Sequence, residues 1–157
     1  FSYGLNVSLT YKSFDMTMFW QGVYDQDVYN NQKAQTDFWS ITDAGSNKGN
    51  RLLGAWNTNN TESTIPALTT NNTADEGRAS SYYVENGSYL KLRNLQFGYT
   101  VPTSFLSKFK MSSARVYVSG QNLLTIKSKG LTCPDPENPN WNYPIATSVS
   151  FGLQIGF

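Results

Sequence analysis

Histidine is absent from the 157 residues, and cysteine occurs once, at Cys133. Without histidine there is no imidazole for acid–base catalysis or for the usual zinc sites, and one cysteine cannot build an internal disulfide framework. Cys133 stands in a loop-like stretch, Leu131-Thr-Cys-Pro-Asp-Pro-Glu137, and reads as a free spectator thiol. Long apolar runs are also missing: nothing approaches the roughly twenty consecutive apolar residues of a membrane helix, and mean hydropathy is negative. Charge is sparse and balanced, with twelve Lys and Arg against eleven Asp and Glu. Nucleic-acid binding therefore has no basic footprint to rest on. The opening Phe1-Ser-Tyr-Gly-Leu5 has no initiator Met or signal sequence and lies inside an alternating run, so it reads as the interior of a longer polypeptide.

Aromatic residues, by contrast, are plentiful: ten Tyr, nine Phe and four Trp make up 15% of the chain. Such a content suits the aromatic girdles of a membrane barrel or a carbohydrate-binding surface. The most regular stretch is the last. Ile145, Thr147, Val149, Phe151, Leu153, Ile155 and Phe157 alternate with Ala146, Ser148, Ser150, Gly152, Gln154 and Gly156, giving one large apolar face and one small or polar face. That is the pattern of a strand between two solvents. At about 3.3 Å per residue and a tilt of about 40°, these thirteen residues rise about 33 Å, enough for the ~25 Å apolar band of an outer-membrane barrel.

The same period recurs upstream. Tyr3, Leu5, Val7, Leu9 and Tyr11 form an apolar stripe, and after a turn at Lys12-Ser13, Phe14, Met16, Met18, Trp20 and Tyr24 form another, less clean because Phe19 and Val23 fall among Asp15, Thr17 and Gln21 on the other parity. A third strand is expected over residues 82–101, where Leu90 and Leu92 take one parity and Leu95, Phe97, Tyr99 and Val101 the other. The switch at Arg93-Asn94 implies either a β-bulge or a change from a wet half to a lipid-facing half. Residues 103–112 read as a brief turn with near-helical spacing of Phe105, Leu106 and Phe109, and residues 114–126 as the fourth strand. Between these elements, residues 25–81 and 127–144 lack periodicity, apart from a short helix expected at Asp37-Phe-Trp-Ser-Ile41.

Connections thus alternate short, long, short, long, the asymmetry of a barrel with long extracellular loops and short periplasmic turns. The fold class is all-β, five antiparallel strands of a transmembrane barrel. Five strands cannot close one, since spanning barrels need about eight and an open edge in lipid leaves backbone groups unpaired. The rest of the wall must come from elsewhere.

Several stretches, in this order and spacing, resemble one family: Tyr11-Lys-Ser-Phe-Asp-Met-Thr-Met-Phe-Trp-Gln-Gly22, Ala55-Trp-Asn-Thr-Asn-Asn60 with Pro66, Ser88-Tyr-Leu-Lys-Leu-Arg-Asn-Leu-Gln-Phe-Gly-Tyr-Thr-Val-Pro102, Arg115-Val-Tyr-Val-Ser-Gly-Gln-Asn-Leu-Leu-Thr125, Asp135-Pro-Glu137 and Tyr143-Pro144. The family is the SusC/RagA-type TonB-linked outer-membrane transporters, and the resemblance covers essentially the whole chain. It implies the last five strands of a twenty-two-stranded barrel in the outer membrane of a Gram-negative, Bacteroidota-type bacterium, with the plug and N-terminal strands outside residues 1–157. It also implies import of oligosaccharides or peptides captured with a SusD-like surface lipoprotein, powered through the TonB complex. Phe151, Leu153, Ile155 and Phe157 resemble the C-terminal signal read by the barrel-assembly machinery, for which a free strand edge is a plausible template. Alternatives are a barrel segment acting chiefly as a client of that machinery, and a secreted carbohydrate-binding β-sandwich.

Other constellations carry less. Asp25-Gln-Asp-Val-Tyr-Asn30 and Asp135-Pro-Glu-Asn138 gather oxygen ligands but lack the calcium-loop pattern, so they read as turn formers. Asp75-Glu76 lacks the separated pair that glycoside hydrolysis needs, and no catalytic residue, metal site or cofactor is expected. Asn6, Asn59, Asn71 and Asn86 begin Asn-x-Ser/Thr triplets of the kind chance supplies in an Asn- and Thr-rich chain. Trp39, Trp56, Trp141 and Tyr143 fall in the long loops as candidate contacts to a ligand or lid protein, against loop-internal packing as the plainer role. Arg115 and Gln121, on the polar parity of the fourth strand, are candidates to touch plug or solute, against ordinary lumen hydrogen bonding as the plainer role.

Overall fold

The computed structural model describes residues 1–37, 48–68, 78–140 and 143–157. Seven strands occur among them: β1 (Ser2–Tyr11), β2 (Phe14–Val23), β3 (Asp27–Tyr29), β4 (Val84–Asn86), β5 (Tyr89–Thr100), β6 (Ser113–Lys127) and β7 (Ser148–Gly156). Two short helices join them, α1 (Asn31–Asp37) and α2 (Thr103–Leu106). Among the described residues no helix is long and apolar enough to cross a membrane, which says nothing about strands. The chain divides into two units, 1–26 with 87–128 and 145–157, and 27–86 with 129–144.

The first unit is a sheet in the order β1-β2-β5-β6-β7, each neighbouring pair antiparallel. Its register turns five separate alternations into one surface. Residues directly opposite share a face, and the rungs read Tyr11-Phe14-Tyr99-Val116-Leu153, Leu9-Met16-Phe97-Val118-Phe151, and Val7-Met18-Leu95-Gly120-Val149. Two more follow, Leu5-Trp20-Leu92-Leu124 and Tyr3-Gly22-Leu90-Ile126. The opposite face carries Thr10-Asp15-Gly98-Tyr117-Gly152, Ser8-Thr17-Gln96-Ser119-Ser150 and Asn6-Phe19-Asn94-Gln121-Ser148.

The register decides between the two explanations of the parity switch in β5. Leu92 pairs with Trp20 and Asn94 with Phe19, so Arg93 is an extra residue, a bulge that keeps Leu90 and Leu92 on the same face as Leu95, Phe97 and Tyr99. Across the sheet β6 accommodates it with its own irregularity, passing from Gln121 to Leu124 while β5 passes from Asn94 to Leu92. Asn122, in the gap, adopts φ 52, a left-handed conformation that Asn tolerates better than most residues.

Two expectations need correction. The last strand begins at Ser148 rather than Ile145, because its partner turns away: Gln121 pairs with Ser148, and beyond it Asn122 and Thr147 make irregular bonds in place of ladder bonds. Its nine residues rise about 23 Å at the same tilt, still close to the ~25 Å band. The expected strand over 82–101 is three elements, a 3₁₀ turn at Ser81–Tyr83, β4, and β5. The chain turns between β4 and β5, where the Gly87 N–H donates to the Gln26 carbonyl (2.7 Å) and Ser88 Oγ accepts from the Asp25 N–H (3.0 Å). The short helix expected at residues 37–41 lies, beyond Asp37, outside the described residues; α1 spans Asn31–Asp37.

The two long connections, read as structureless, instead supply a second unit with its own small sheet, β3 against β4. Three-residue strands are too short for a period-two signal to stand out from composition. Among the described residues an apolar cluster of it joins Leu52 and Tyr83, with Ile65 and Tyr82 against them. Much of its order comes from buried polar groups.

Candidate functional site

The apolar face of the sheet is uncovered. Phe151 is 85% exposed, and Leu5, Leu9, Phe97, Val116, Leu124, Ile126, Val149 and Leu153 are exposed as well. A contiguous apolar surface of that extent marks an interaction site rather than a water-facing surface. Aromatic rings bound it at the end where β1 turns into β2, with Phe14 4.8 Å from Tyr99 and 5.7 Å from Phe97, centroid to centroid. Trp20 directs its indole N–H to the Met18 sulfur at 3.3 Å, a soft acceptor on an otherwise apolar face. From Tyr3 to Tyr11 the stripe runs about 26 Å along the strand, and the ten residues of β1 and of β2 match the ~9–11 of a membrane-crossing strand. Phe151, Leu153 and Ile155 lie on this face, opposite Val118, Val116 and Ala114, while Phe157 follows the end of β7, 92% exposed.

On the polar face, side chains tie the strands together laterally. Arg115 of β6 grips Asp15 of β2 with two bonds, Nε to Oδ1 at 3.0 Å and Nη2 to Oδ2 at 2.5 Å, and reaches Gln154 of β7 with Nη1. β5 lies between them, and Gly98 is what lets them meet: a Cβ there would fall on the Asp15 carboxylate and the Arg115 guanidinium. Tyr117 covers Gly152 in the same way, its ring occupying the space a Cβ would need. A second tie runs along the bulge row. Arg93 donates to Gln21 of β2 (2.9 Å) and to Asn122 of β6 (3.4 Å), and Asn122 donates to the Ala146 carbonyl (3.3 Å) ahead of β7. Arg115 thus takes the wall-building role that its parity suggested, whereas Asp15, Gly98 and Arg93 had no such signal of their own.

Deleting Arg93 leaves Leu90-Lys91-Leu92-Asn94-Leu95, which alternates without interruption. Deletion is therefore expected to keep every apolar side chain on its face and to cost only the cross-strand bonds, about 2 kcal/mol, the same as Arg93→Ala. Urea unfolding of both variants in the whole polypeptide checks this, and a far larger loss for the deletion would refute the bulge assignment.

In the second unit the buried carboxylates organise the chain. Glu85 on β4 accepts from Asn30 Nδ2 (3.0 Å), the Thr132 N–H (2.9 Å) and the Thr132 hydroxyl (2.8 Å), with Lys33 Nζ 3.7 Å away. Asn30 also caps α1, its Oδ1 accepting from the Lys33 N–H at 2.9 Å. Burial alone would push the Glu85 carboxyl up, but the bonds from Thr132 and Asn30, with the Lys33 charge, outweigh it and hold Glu85 below the usual glutamate range. Asp37, fully buried, accepts from Arg51 Nε (2.8 Å), the Tyr82 hydroxyl (2.8 Å) and Thr36 (3.1 Å). Burial first, and then the Asp37 carboxylate, push the Tyr82 phenol well up, so it remains a donor.

The oxygen-rich stretches are turn formers. Asp25 takes φ 56, Asp27 enters β3, and Asp135 accepts from the Glu137 N–H at 3.0 Å in a turn bridged to Asn138. Cys133 is fully buried as a free thiol, its Sγ 3.5 Å from the Asp135 carbonyl. Of the candidate aromatics, Trp56 is 43% exposed beside the Asn57–Asn60 turn, and Tyr143 is 96% exposed. Trp39 and Trp141 lie outside the described residues, as do Asn71, Asp75 and Glu76.

No protein-family model matches the chain. Among curated proteins it is 35% identical over 159 residues to TonB-dependent receptor P3 of Formosa agariphila, covering 99% of this chain and 15% of that one. TonB-dependent receptor P26 of the same organism is 25% identical over 178 residues, again covering 99% of this chain and 17% of the relative. Solved structures of the RagAB peptide transporter (TM-score 0.73, 26% identity, 98% of this chain and 17% of that chain) and of the RagAB peptide importer in the "open-open" state (TM-score 0.74, 26% identity, 99% and 17%) share the fold. The chain therefore spans about a sixth of the length of the proteins it matches. The order of motifs, the two-faced sheet and these likenesses agree: over its whole length the chain matches a C-terminal portion of TonB-dependent receptors of the SusC/RagA type.

Proposed function

We propose that residues 1–157 are the last part of the barrel of a TonB-dependent outer-membrane importer, non-enzymatic, supplying wall and surface loops. The observation that carries this reading is the register: five strands gather their apolar stripes on one exposed face and most of their hydrogen-bonding side chains on the other, where Phe19 stands among Asn6, Asn94 and Gln121. Lipid meets the first and a polar lumen the second. In this reading the barrel has twenty-two strands, whose remainder pairs with the outer edges of β1 and β7. The short turns are periplasmic and the long connections extracellular. Phe151, Leu153, Ile155 and Phe157 serve the assembly machinery as a recognition strand.

The imported class is oligosaccharide or peptide, and a SusD-like surface lipoprotein is the partner. The RagAB neighbours, titled as peptide transporter and importer, support the peptide arm and the two-component arrangement. The exposed aromatics Trp56 and Tyr143, with Trp39 and Trp141, are the proposed loop contacts to ligand or lid. The test is to purify the whole polypeptide from its native outer membrane and to delete its gene. A co-purifying lipidated partner and loss of growth on one polymer class, restored by the monomer, are expected. Solubility without detergent, with unchanged growth on peptides and glycans, would overturn the reading in favour of a secreted binding module.

A further inference from the structure

The end of the sheet that carries the short turns shows a second apolar surface, distinct from the strand faces. The connection after β5 folds as α2 followed by a 3₁₀ turn, Ser107–Phe109. Leu106 is buried and anchors it, and the Met111 N–H closes it by donating to the Leu106 carbonyl at 3.3 Å. On either side of the anchor, Phe105 and Phe109 are left 66% and 70% exposed. Residues 101–113 contain no Asp or Glu but do contain Lys108 and Lys110, both exposed, and the β1–β2 turn at the same end of the sheet adds exposed Lys12. Lys12 and Lys110 adopt φ 53 and 56, a region where Gly or Asn would fit with less strain. The side chain retained at these two positions is nevertheless cationic. The rung Tyr11-Phe14-Tyr99 closes the apolar face at this same end of the sheet.

We infer that this end is an interfacial anchor for a phospholipid leaflet. Phe105 and Phe109 enter the boundary between headgroups and acyl chains, and Lys12, Lys108 and Lys110 hold anionic phosphates above it. Aromatic rings beside lysines, with no acidic residue in the connection, are the chemistry of an amphipathic surface binding anionic lipid, and the long lysine stems let the charge stay at headgroup level while the rings go deeper. The inference rests on the lipid-facing reading of the wall, and its test separates the two.

The probe is a tryptophan introduced in the whole polypeptide by Phe109→Trp, or as a wall control by Phe151→Trp, each read as the difference from the parent protein, whose own tryptophans, Trp20 on the wall among them, set the background. The protein is reconstituted in phosphatidylcholine vesicles with or without about one part in three of phosphatidylglycerol. Lipids brominated at shallow or deep acyl positions quench the indole, and aqueous acrylamide reports water. At position 109, shallow quenching is expected to exceed deep quenching by about twofold and to rise with phosphatidylglycerol. That rise should vanish with Lys12→Gln, Lys108→Gln and Lys110→Gln combined. Quenching at 151 with an acrylamide-accessible probe at 109, or a 109 probe shielded from both lipid and water, overturns the anchor alone; so does quenching at 109 indifferent to phosphatidylglycerol. No lipid quenching at 151 overturns the wall and the anchor together.

Discussion

Leu95→Arg is expected to destabilise the membrane-inserted protein by about 2–4 kcal/mol, a roughly 30- to 900-fold loss in the folded-to-unfolded ratio. Leu95 is on the middle strand of five and the middle rung of five, between Met18 and Gly120. A guanidinium there has nowhere to snorkel: on β1, β2 and β5 the rungs toward either end of the stripe are Leu, Met, Phe, Trp and Tyr, with Gly22 as the single exception. Gln96 is the next residue but stands on the other face, opposite Thr17 and Ser119. Gln96→Arg should stay within about 0.5 kcal/mol, as ordinary polar-surface substitutions do. The depth dependence is part of the expectation, because arginine at Tyr3 or Tyr11, the ends of the same stripe, should cost only about 0–1 kcal/mol. Urea titration of vesicle-refolded whole polypeptide, read by the heat-dependent gel shift of folded barrels, measures all four. Equal tolerance of Leu95→Arg and Gln96→Arg would sink the assignment of faces.

What could be seen in the sequence was what repeats every second residue. Alternation in β1, β2 and β7 is local, so each stripe was visible on its own, and the parity switch at Arg93 marked the bulge because a bulge is itself a break in period two. The register between strands was not visible, yet it is what makes five stripes a wall. Asp15 and Arg115 meet although 100 residues separate them, and the pair depends on Gly98, which in sequence is one more glycine in a strand. The truncated start of β7 is set by Asn122 of another strand. The loop unit was missed for a related reason: Asn30 and Thr132 are 102 residues apart, and its polar residues, which look like solvated loop when read along the chain, become buried partners only when two connections are brought together. Thr132 and Glu85 had no periodic signal at all, and the candidate aromatics were drawn from composition, which finds residue types and not their neighbours.

Glu85→Ala is expected to remove about 2–3 kcal/mol from the local stability of the loop unit, a roughly 30- to 150-fold rise in amide exchange around β3, β4 and Thr132. The loss follows from what the carboxylate leaves behind, a part-buried Thr132 N–H without this acceptor, Asn30 Nδ2 with one partner fewer, and Lys33 with this countercharge gone. Glu85→Gln keeps the size and one acceptor oxygen, so its cost should be smaller. The two variants also separate charge from shape through pH. Because the folded-state pKa is held below the ordinary glutamate value of 4.5, the ionised form is stabilised by folding, and that contribution is complete above about pH 4.5. As pH falls below that value the unfolded chain takes up a proton that the folded unit resists, and the contribution disappears by the time pH has dropped through the folded pKa. Exchange protection, corrected for intrinsic rates, should therefore be flat from pH 7 to about 4.5 and decline below it in the parent. In Glu85→Gln that decline should be shallower, since no proton is taken up at this position. A parent profile that stays flat to pH 3, or one that falls equally in Glu85→Gln, would overturn the assignment of this acid sensitivity to Glu85.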